Sequence, residues 1–310
     1  MLSFVLLSVL LGTVFLALLV SLALSLSRAR IELPASAPEL LLAARAAGGA
    51  ARTVGGNAEA AGTAEAAGAG GPPRKPLAVC LGDSITHGVV SANYVDMLAS
   101  RLPDWEFSNG GVNSELAYNV ASRLDPVVAL EPDAVTVLIG TNDVNATFGL
   151  RSLLGYWALH RLPERPSLLF FRENLAVIVR RLRRETKARV ALLSMPPIGE
   201  DPGHYAWLRS EEYAEAVKEV AKAEGAEYLP LRERIVAYLD SVPRGRAIPF
   251  ERFGQAQGRS ARSRFLYGKS FDEIAAGNGF HLLVDGIHLN THGASMAADL
   301  VEGFLRQSRR

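Results

Sequence analysis

The chain of 310 residues holds a single cysteine, Cys80. One thiol cannot close an intrachain disulfide, and it excludes a CxxC pair or a Cys/His zinc framework. Cys80 lies inside an apolar run, where a free thiol packs as a small hydrophobe. Excess charge is lacking as well. Lys and Arg number 33 against 32 Asp and Glu, which leaves a formal net charge of +1. Such a balance gives no support to nucleic-acid binding, and no nucleic-acid partner is expected. No internal repeat is visible.

Charge is missing altogether from residues 1–27, which are mostly Leu, Val, Ala and Phe. About 20 apolar residues span the hydrocarbon core of a bilayer. A cleaved signal peptide has a basic start and an apolar stretch of about 7–15 residues. This run is longer and has no Lys or Arg before it, so residues 1–30 are expected to be a single-pass transmembrane anchor or an uncleaved signal-like segment. Arg28 and Arg30 follow the run. The positive-inside rule then favours a cytoplasmic domain, but so few charges leave the side open. Residues 31–75 read as a flexible Ala/Gly-rich linker. The composition of residues 43–73 is too poor in large apolar side chains to build a core.

Residues 76–310 are long enough for one sizeable domain. Leu77–Leu81 is an apolar run that stops at Gly82 and reads as a buried parallel strand. Further strands are predicted at Trp105–Ser108, Ala134–Ile139, Arg189–Met195 and Ala226–Leu229. Helical spacing occupies Tyr94–Leu102, Glu115–Leu124, Arg172–Lys187, Ser210–Glu224 and Thr291–Leu305. Arg180, Arg181, Arg183 and Arg184 fall on the polar side of one helix and read as a solvated face. The alternation predicts a parallel sheet covered by helices on both faces. Two stretches break the pattern. Residues 145–168 have no clear period and read as a lid-like excursion. Residues 241–270 interleave Arg and Lys with Phe and Tyr and read as a surface loop; beside a membrane such a loop could also touch anionic headgroups.

Ligands bind outside the carboxyl ends of the strands in such sheets. Ser84 follows the first strand there and is a candidate nucleophile. A serine that attacks an ester needs a base, a group that fixes the base, and donors for the oxyanion. Asp285 and His288 lie three apart in one loop, which lets a carboxylate reach one imidazole nitrogen while the other faces elsewhere. Asn142 can donate a side-chain N–H. Gly111 can bring a bare backbone N–H close to a ligand. A GxSxG elbow is missing, since Thr86 stands where it needs glycine. A metallophosphoesterase is the second enzyme reading. Asp83, His87, Asp143, Asp285 and His288 could converge, but no DxH pair or GNHD-type block is present. A membrane-tethered binding domain is the non-enzyme reading. His87 reads as structural, and Asp83 as a partner for loop backbone.

Four stretches together resemble the SGNH/GDSL hydrolase superfamily. Gly82-Asp83-Ser84 is similar to its first block and Asn109-Gly110-Gly111 to its second. Gly140-Thr141-Asn142-Asp143 is similar to its third, and Asp285-Gly286-Ile287-His288 to its fifth. The resemblance covers residues 77–306. It implies a three-layer α/β/α fold with a flavodoxin-like five-stranded sheet of order 2-1-3-4-5. It implies hydrolysis of acyl esters or thioesters with no metal and no cofactor. It also implies roles: Ser84 as nucleophile, His288 as base, Asp285 as its orienter, and an oxyanion hole of Ser84, Gly111 and Asn142. The second block often continues to a further glycine, and here that position is Ser114, so Gly110 could donate instead of Gly111. The expected substrate is a small-molecule or lipid ester such as a lysophospholipid. A carbohydrate O-deacetylase of the same fold is the alternative.

Overall fold

The computed structural model describes residues 74–307. The predicted anchor and most of the linker lie outside the described residues. Among the described residues no helix is long and apolar enough to cross a membrane.

The five predicted strands form one parallel sheet of order β2-β1-β3-β4-β5. They are β1 (Leu77–Gly82), β2 (Glu106–Gly111), β3 (Ala134–Leu138), β4 (Arg189–Leu193) and β5 (Glu227–Leu229). Every residue of β1 and β3 is buried. That is why these segments read as unbroken apolar runs: a central parallel strand is covered on both faces. The edges differ. β2 begins exposed, and β5 has only three residues.

Two layers of helix cover the sheet. In one, α2 (Tyr94–Arg101) packs on the last helix, α12 (Thr291–Arg306), which also meets α9 (Leu231–Ser241). In the other, α7 (Leu168–Glu185) packs between α3 (Ala117–Ser122) and α8 (Tyr205–Glu224). Each amphipathic stripe faces inward as its spacing requires. In α7 the buried set includes Leu175, Ile178, Val179 and Leu182. Its arginines stay outside, where Arg180 meets Glu224 and Arg181 meets Asp125 and Glu185. Caps mark the ends. Ser167 accepts the Phe170 N–H, Gly225 closes α8 in the left-handed conformation, and Asn290 opens α12 by accepting from Gly293.

Several local expectations need correction. The second strand runs past the predicted Ser108, and Asn109-Gly110-Gly111 forms its end, because the parallel ladder with β1 runs as far as Gly82 and Gly111. The helix predicted at Glu115–Leu124 is shorter, ending at Ser122, and Asp125-Pro126 starts a second one, α4 (Asp125–Ala129), where proline is tolerated in the first turn. The excursion at 145–168 holds a regular helix, α6 (Leu150–His160), after the short α5 (Thr141–Asn145). The stretch at 241–270 is also ordered into helix. A 3-10 turn (Phe250–Arg252) leads into α10 (Phe253–Phe265), followed by α11 (Phe271–Asn278). Phe253 fixes α10 by packing its ring against Gly286, with Phe280 edge-on at 5.9 Å between centroids.

Candidate active site

The chain leaves β1, crosses to β2, and returns to β3 on the other side of β1. The crevice of the sheet therefore opens between the carboxyl ends of β1 and β3. Gly82-Asp83-Ser84 and Gly140-Thr141-Asn142 line it from either side.

After β1 the chain makes one helical turn, α1 (Ser84–His87), with Asp83 as its cap; Asp83 Oδ1 accepts the Ile85 N–H at 2.9 Å. The turn fits only because its neighbours are glycines. A Cβ on Gly82 would lie 2.3 Å from the Leu138 carbonyl oxygen, and one on Gly111 would lie 2.3 Å from the His87 nitrogen. Asn109 ties the same corner, since its Nδ2 donates to the Thr86 carbonyl at 2.8 Å. Ser84 itself is 8% exposed, at the floor of the crevice.

His288 reaches Ser84 from a loop 204 residues downstream, with Nε2 2.9 Å from Oγ. The loop is held locally. Asp285 Oδ1 accepts the backbone N–H groups of Ile287 and His288, both at 3.1 Å, and Oδ2 lies 2.8 Å from His288 Nδ1. Gly286 allows this turn with φ of +95°. The Val284 N–H donates to the His288 carbonyl at 2.7 Å and closes the loop on itself. With Nδ1–H given to the carboxylate, Nε2 is left to accept the serine proton. Burial opposes a charged imidazole, but the Asp285 carboxylate outweighs it, and His288 is held above the usual histidine range. Burial likewise pushes Asp285 up, yet the His288 charge and its hydrogen bonds win, and the carboxyl falls below its usual range.

Asn142 stands across the crevice. Its Nδ2 donates to the Glu115 carbonyl at 3.0 Å and points toward Asp83 Oδ2 at 3.4 Å. Its Oδ1 accepts the Tyr156 hydroxyl at 2.7 Å. That bond fixes which end of the amide faces the serine side. Tyr156 is a site residue that sequence reading missed. It lies on α6, in the stretch without apolar period, and no motif marks it. Its neighbour in the second layer is Asp143, whose carboxylate accepts the Ala117 N–H. Burial raises Asp143 to about 8 and Asp83 to about 6, so one of these carboxyls stays largely protonated at neutral pH.

Gly111 stands at the same corner: its N–H donates to Asn109 Oδ1 at 3.0 Å, and its lack of a side chain admits the close contact with α1. Ser114 has φ of +66°, in the left-handed region that favours glycine. That conformation sets a local strain of about 1 kcal/mol on the serine.

Among the described residues no group of three or more His, Cys, Asp or Glu is arranged to hold a metal ion. His204 packs against Tyr205 and Phe250, and His292 meets the Tyr238 ring edge-on. Two openings adjoin the crevice. One, of about 420 Å³, is lined by Ser114, Phe148, Tyr156 and Leu159. The other, of about 320 Å³, lies between α10, α11 and His288, with Val90, Ala261, Phe265, Phe271 and Val284 on its walls.

A family model described as the GDSL-like lipase/acylhydrolase family matches residues 80–295. No curated protein matches the chain. Among solved structures it is similar to LAE5, an alpha/beta hydrolase enzyme from the metagenome of Lake Arreo, Spain, at 20% identity and TM-score 0.51, over 74% of this chain and 94% of that one. It is similar to Axe2, an acetylxylan esterase from Geobacillus stearothermophilus, at 16% identity and TM-score 0.54, over 75% and 95%. It is also similar to the acetyl xylan esterase AlAXEase, at 19% identity and TM-score 0.51, over 74% and 99%. At these identities the likeness is one of fold.

Proposed function

The chain belongs to the GDSL-like lipase/acylhydrolase family, and we propose that it hydrolyses carboxylic esters by acyl transfer through Ser84. The observation that carries this reading is the unbroken line from Ser84 Oγ to His288 Nε2 at 2.9 Å and from His288 Nδ1 to Asp285 at 2.8 Å. Ser84 Oγ attacks the acyl carbonyl while Nε2 takes its proton. Asp285 stabilises the imidazolium that forms. The tetrahedral oxygen accepts from the Ser84 N–H, unpaired at the start of α1, and from the Asn142 N–H that otherwise points at Asp83. His288 then returns the proton to the departing alcohol. Water repeats the cycle on the acyl-serine and releases the acid. Gly111 enters as the residue that seats α1.

Two predictions test this machinery. The imidazole must be neutral to act as base, and Asp285 raises the pH at which it loses its proton. The acid limb of kcat/KM is therefore expected at a midpoint above the ordinary 6.5. In Asp285→Asn burial is opposed only by the Asp83 charge, and the limb moves to lower pH while kcat falls; a limb unmoved by that change would remove His288 from the role of base. Tyr156→Phe deletes the hydroxyl that orients Asn142. A drop in kcat of roughly 10-fold, with KM nearly constant, is expected, because the amide acts on the oxyanion and not on the bound ester.

For the substrate we infer an ester with an apolar acyl chain, such as a lysophospholipid. The support is the apolar opening beside His288, which offers the chain room next to the nucleophile. A second reading is an O-deacetylase acting on carbohydrate, since Axe2 and AlAXEase are named as acetylxylan esterases. Rates on p-nitrophenyl esters of increasing acyl length, on lysophosphatidylcholine and on acetylated xylo-oligosaccharides separate the two. Preference for the acetylated sugar would overturn the lipid reading. We also propose that residues 1–30 anchor the enzyme in a membrane; the full chain staying with membranes after an alkaline carbonate wash is the expected result, and its release would refute the anchor.

A further inference from the structure

The helix α6 has no buried side chain along its 11 residues. Its outer face carries Leu150, Leu154 and Trp157, which are 69%, 54% and 41% exposed. Spaced by four and then three, they form one stripe on the helix. The inner face carries Tyr156, bonded to Asn142. The stripe is therefore open to solvent at the rim of the candidate active site. Single exposed apolar side chains are ordinary, but an aligned stripe with an exposed tryptophan marks a surface that meets something.

We infer that α6 is an interfacial helix whose Leu150, Leu154 and Trp157 rest in the headgroup layer of an anionic lipid bilayer. Three features favour that occupant. Arg151, Arg161 and Arg165 flank the stripe, and none of them has an ion-pair partner among the described residues. Basic residues beside a face of Leu and Trp make up the composition of helices that lie in a bilayer surface. The uncharged apolar run at 1–27 is joined to the domain through the 31–75 stretch, so any bilayer that run enters lies within reach of α6. Contact with the bilayer is then intramolecular, and a small patch suffices where free association would need a large one. A second copy of the chain fits less well, since a stable dimer buries about 800 Å² on each partner and one stripe of three side chains offers far less. On the other side of the crevice, Phe265, Leu266 and Tyr267 at the end of α10 are also exposed, next to the apolar opening at His288. A bilayer touching both rims would face the mouth between them.

The test needs no ester turnover, so it stands apart from the acyl-transfer reading. The full chain is mixed with vesicles of phosphatidylcholine and phosphatidylglycerol whose acyl chains are brominated near the headgroup, and tryptophan emission is measured. Residues 1–27 contain no tryptophan, Trp207 is buried and Trp105 is half-buried, so quenching reports on Trp157. Bromine is expected to quench the wild type, and to do so several-fold less in Trp157→Phe and in Leu154→Asp with helix content unchanged. Quenching is also expected to be weaker with phosphatidylcholine alone. Absence of quenching in the wild type, or equal quenching in Trp157→Phe, would overturn the inference. Equal quenching on the neutral vesicles would overturn the anionic preference. A Trp157 emission that shifts with protein concentration in the absence of lipid would assign the stripe to a second copy instead.

Discussion

Replacing Ser84 with alanine should lower kcat for a simple ester by about 10⁵- to 10⁶-fold while leaving the fold intact. The side chain makes one hydrogen bond, to His288 Nε2, and fills little volume at the floor of the crevice. Its loss removes the attacking atom and leaves the backbone donor and Asn142 in place. His288→Ala should cost about as much, because an unassisted hydroxyl is a poor nucleophile at neutral pH. The double variant should be no worse than either single one, since the two residues act as a unit. Single-turnover and steady-state rates with p-nitrophenyl acetate read all three. Activity above about a tenth of wild type in Ser84→Ala would end the proposal that this serine carries the acyl group, whatever the other variants did.

Gly111→Ala carries the second large effect, and it acts on structure first. The added Cβ would meet the His87 nitrogen at 2.3 Å, and the atoms in the way are backbone. Either α1 or the end of β2 must shift. Overpacking of this kind costs about 3 kcal/mol, which for a domain of this size lowers Tm by roughly 6–12 °C. Ser84 opens α1, so kcat should fall with stability. The contrast is Gly254→Ala on α10, where a new Cβ meets nothing within 4 Å. That change should be neutral or should stabilise by about 0.5–1 kcal/mol, as alanine suits a helix better than glycine. Thermal melts of the two variants decide the matter. If Gly111→Ala melted like wild type, the close contact with α1 would not be what requires glycine there.

The difference between Gly111 and Asp285 shows what a sequence can disclose. Asp285 and His288 are three residues apart, and their contact is a property of one tight loop. Such local geometry is written into spacing. So were the buried strands, whose apolar runs reflect cover on both faces, and the inward stripes of α7, α8 and α12. Gly111 could be marked as a position that wants no side chain. Whether the space was needed for a ligand or for α1 depended on a strand pairing that brings His87 against it. Tyr156 was not marked at all. Its bond to Asn142 exists because α6 folds back over the carboxyl end of β3, and nothing in the surrounding residues has a period that would announce it. α10 was read as loop for a related reason. Two glycines and two serines weaken its intrinsic helicity, and Phe253 settles it only by finding Gly286 from another part of the chain.

The sequence alone determined the five strands, the five helices with an apolar stripe, the family of the fold and the four stretches that meet at the crevice, because periodicity and short-range spacing are set by neighbours along the chain. Tertiary structure alone decided that α1 packs against Gly111, that Tyr156 orients Asn142, and that α6 leaves an apolar stripe exposed beside the site. Each of those depends on which distant segments are packed together, and side chains far apart in sequence acquire a common geometry only when the core between them closes.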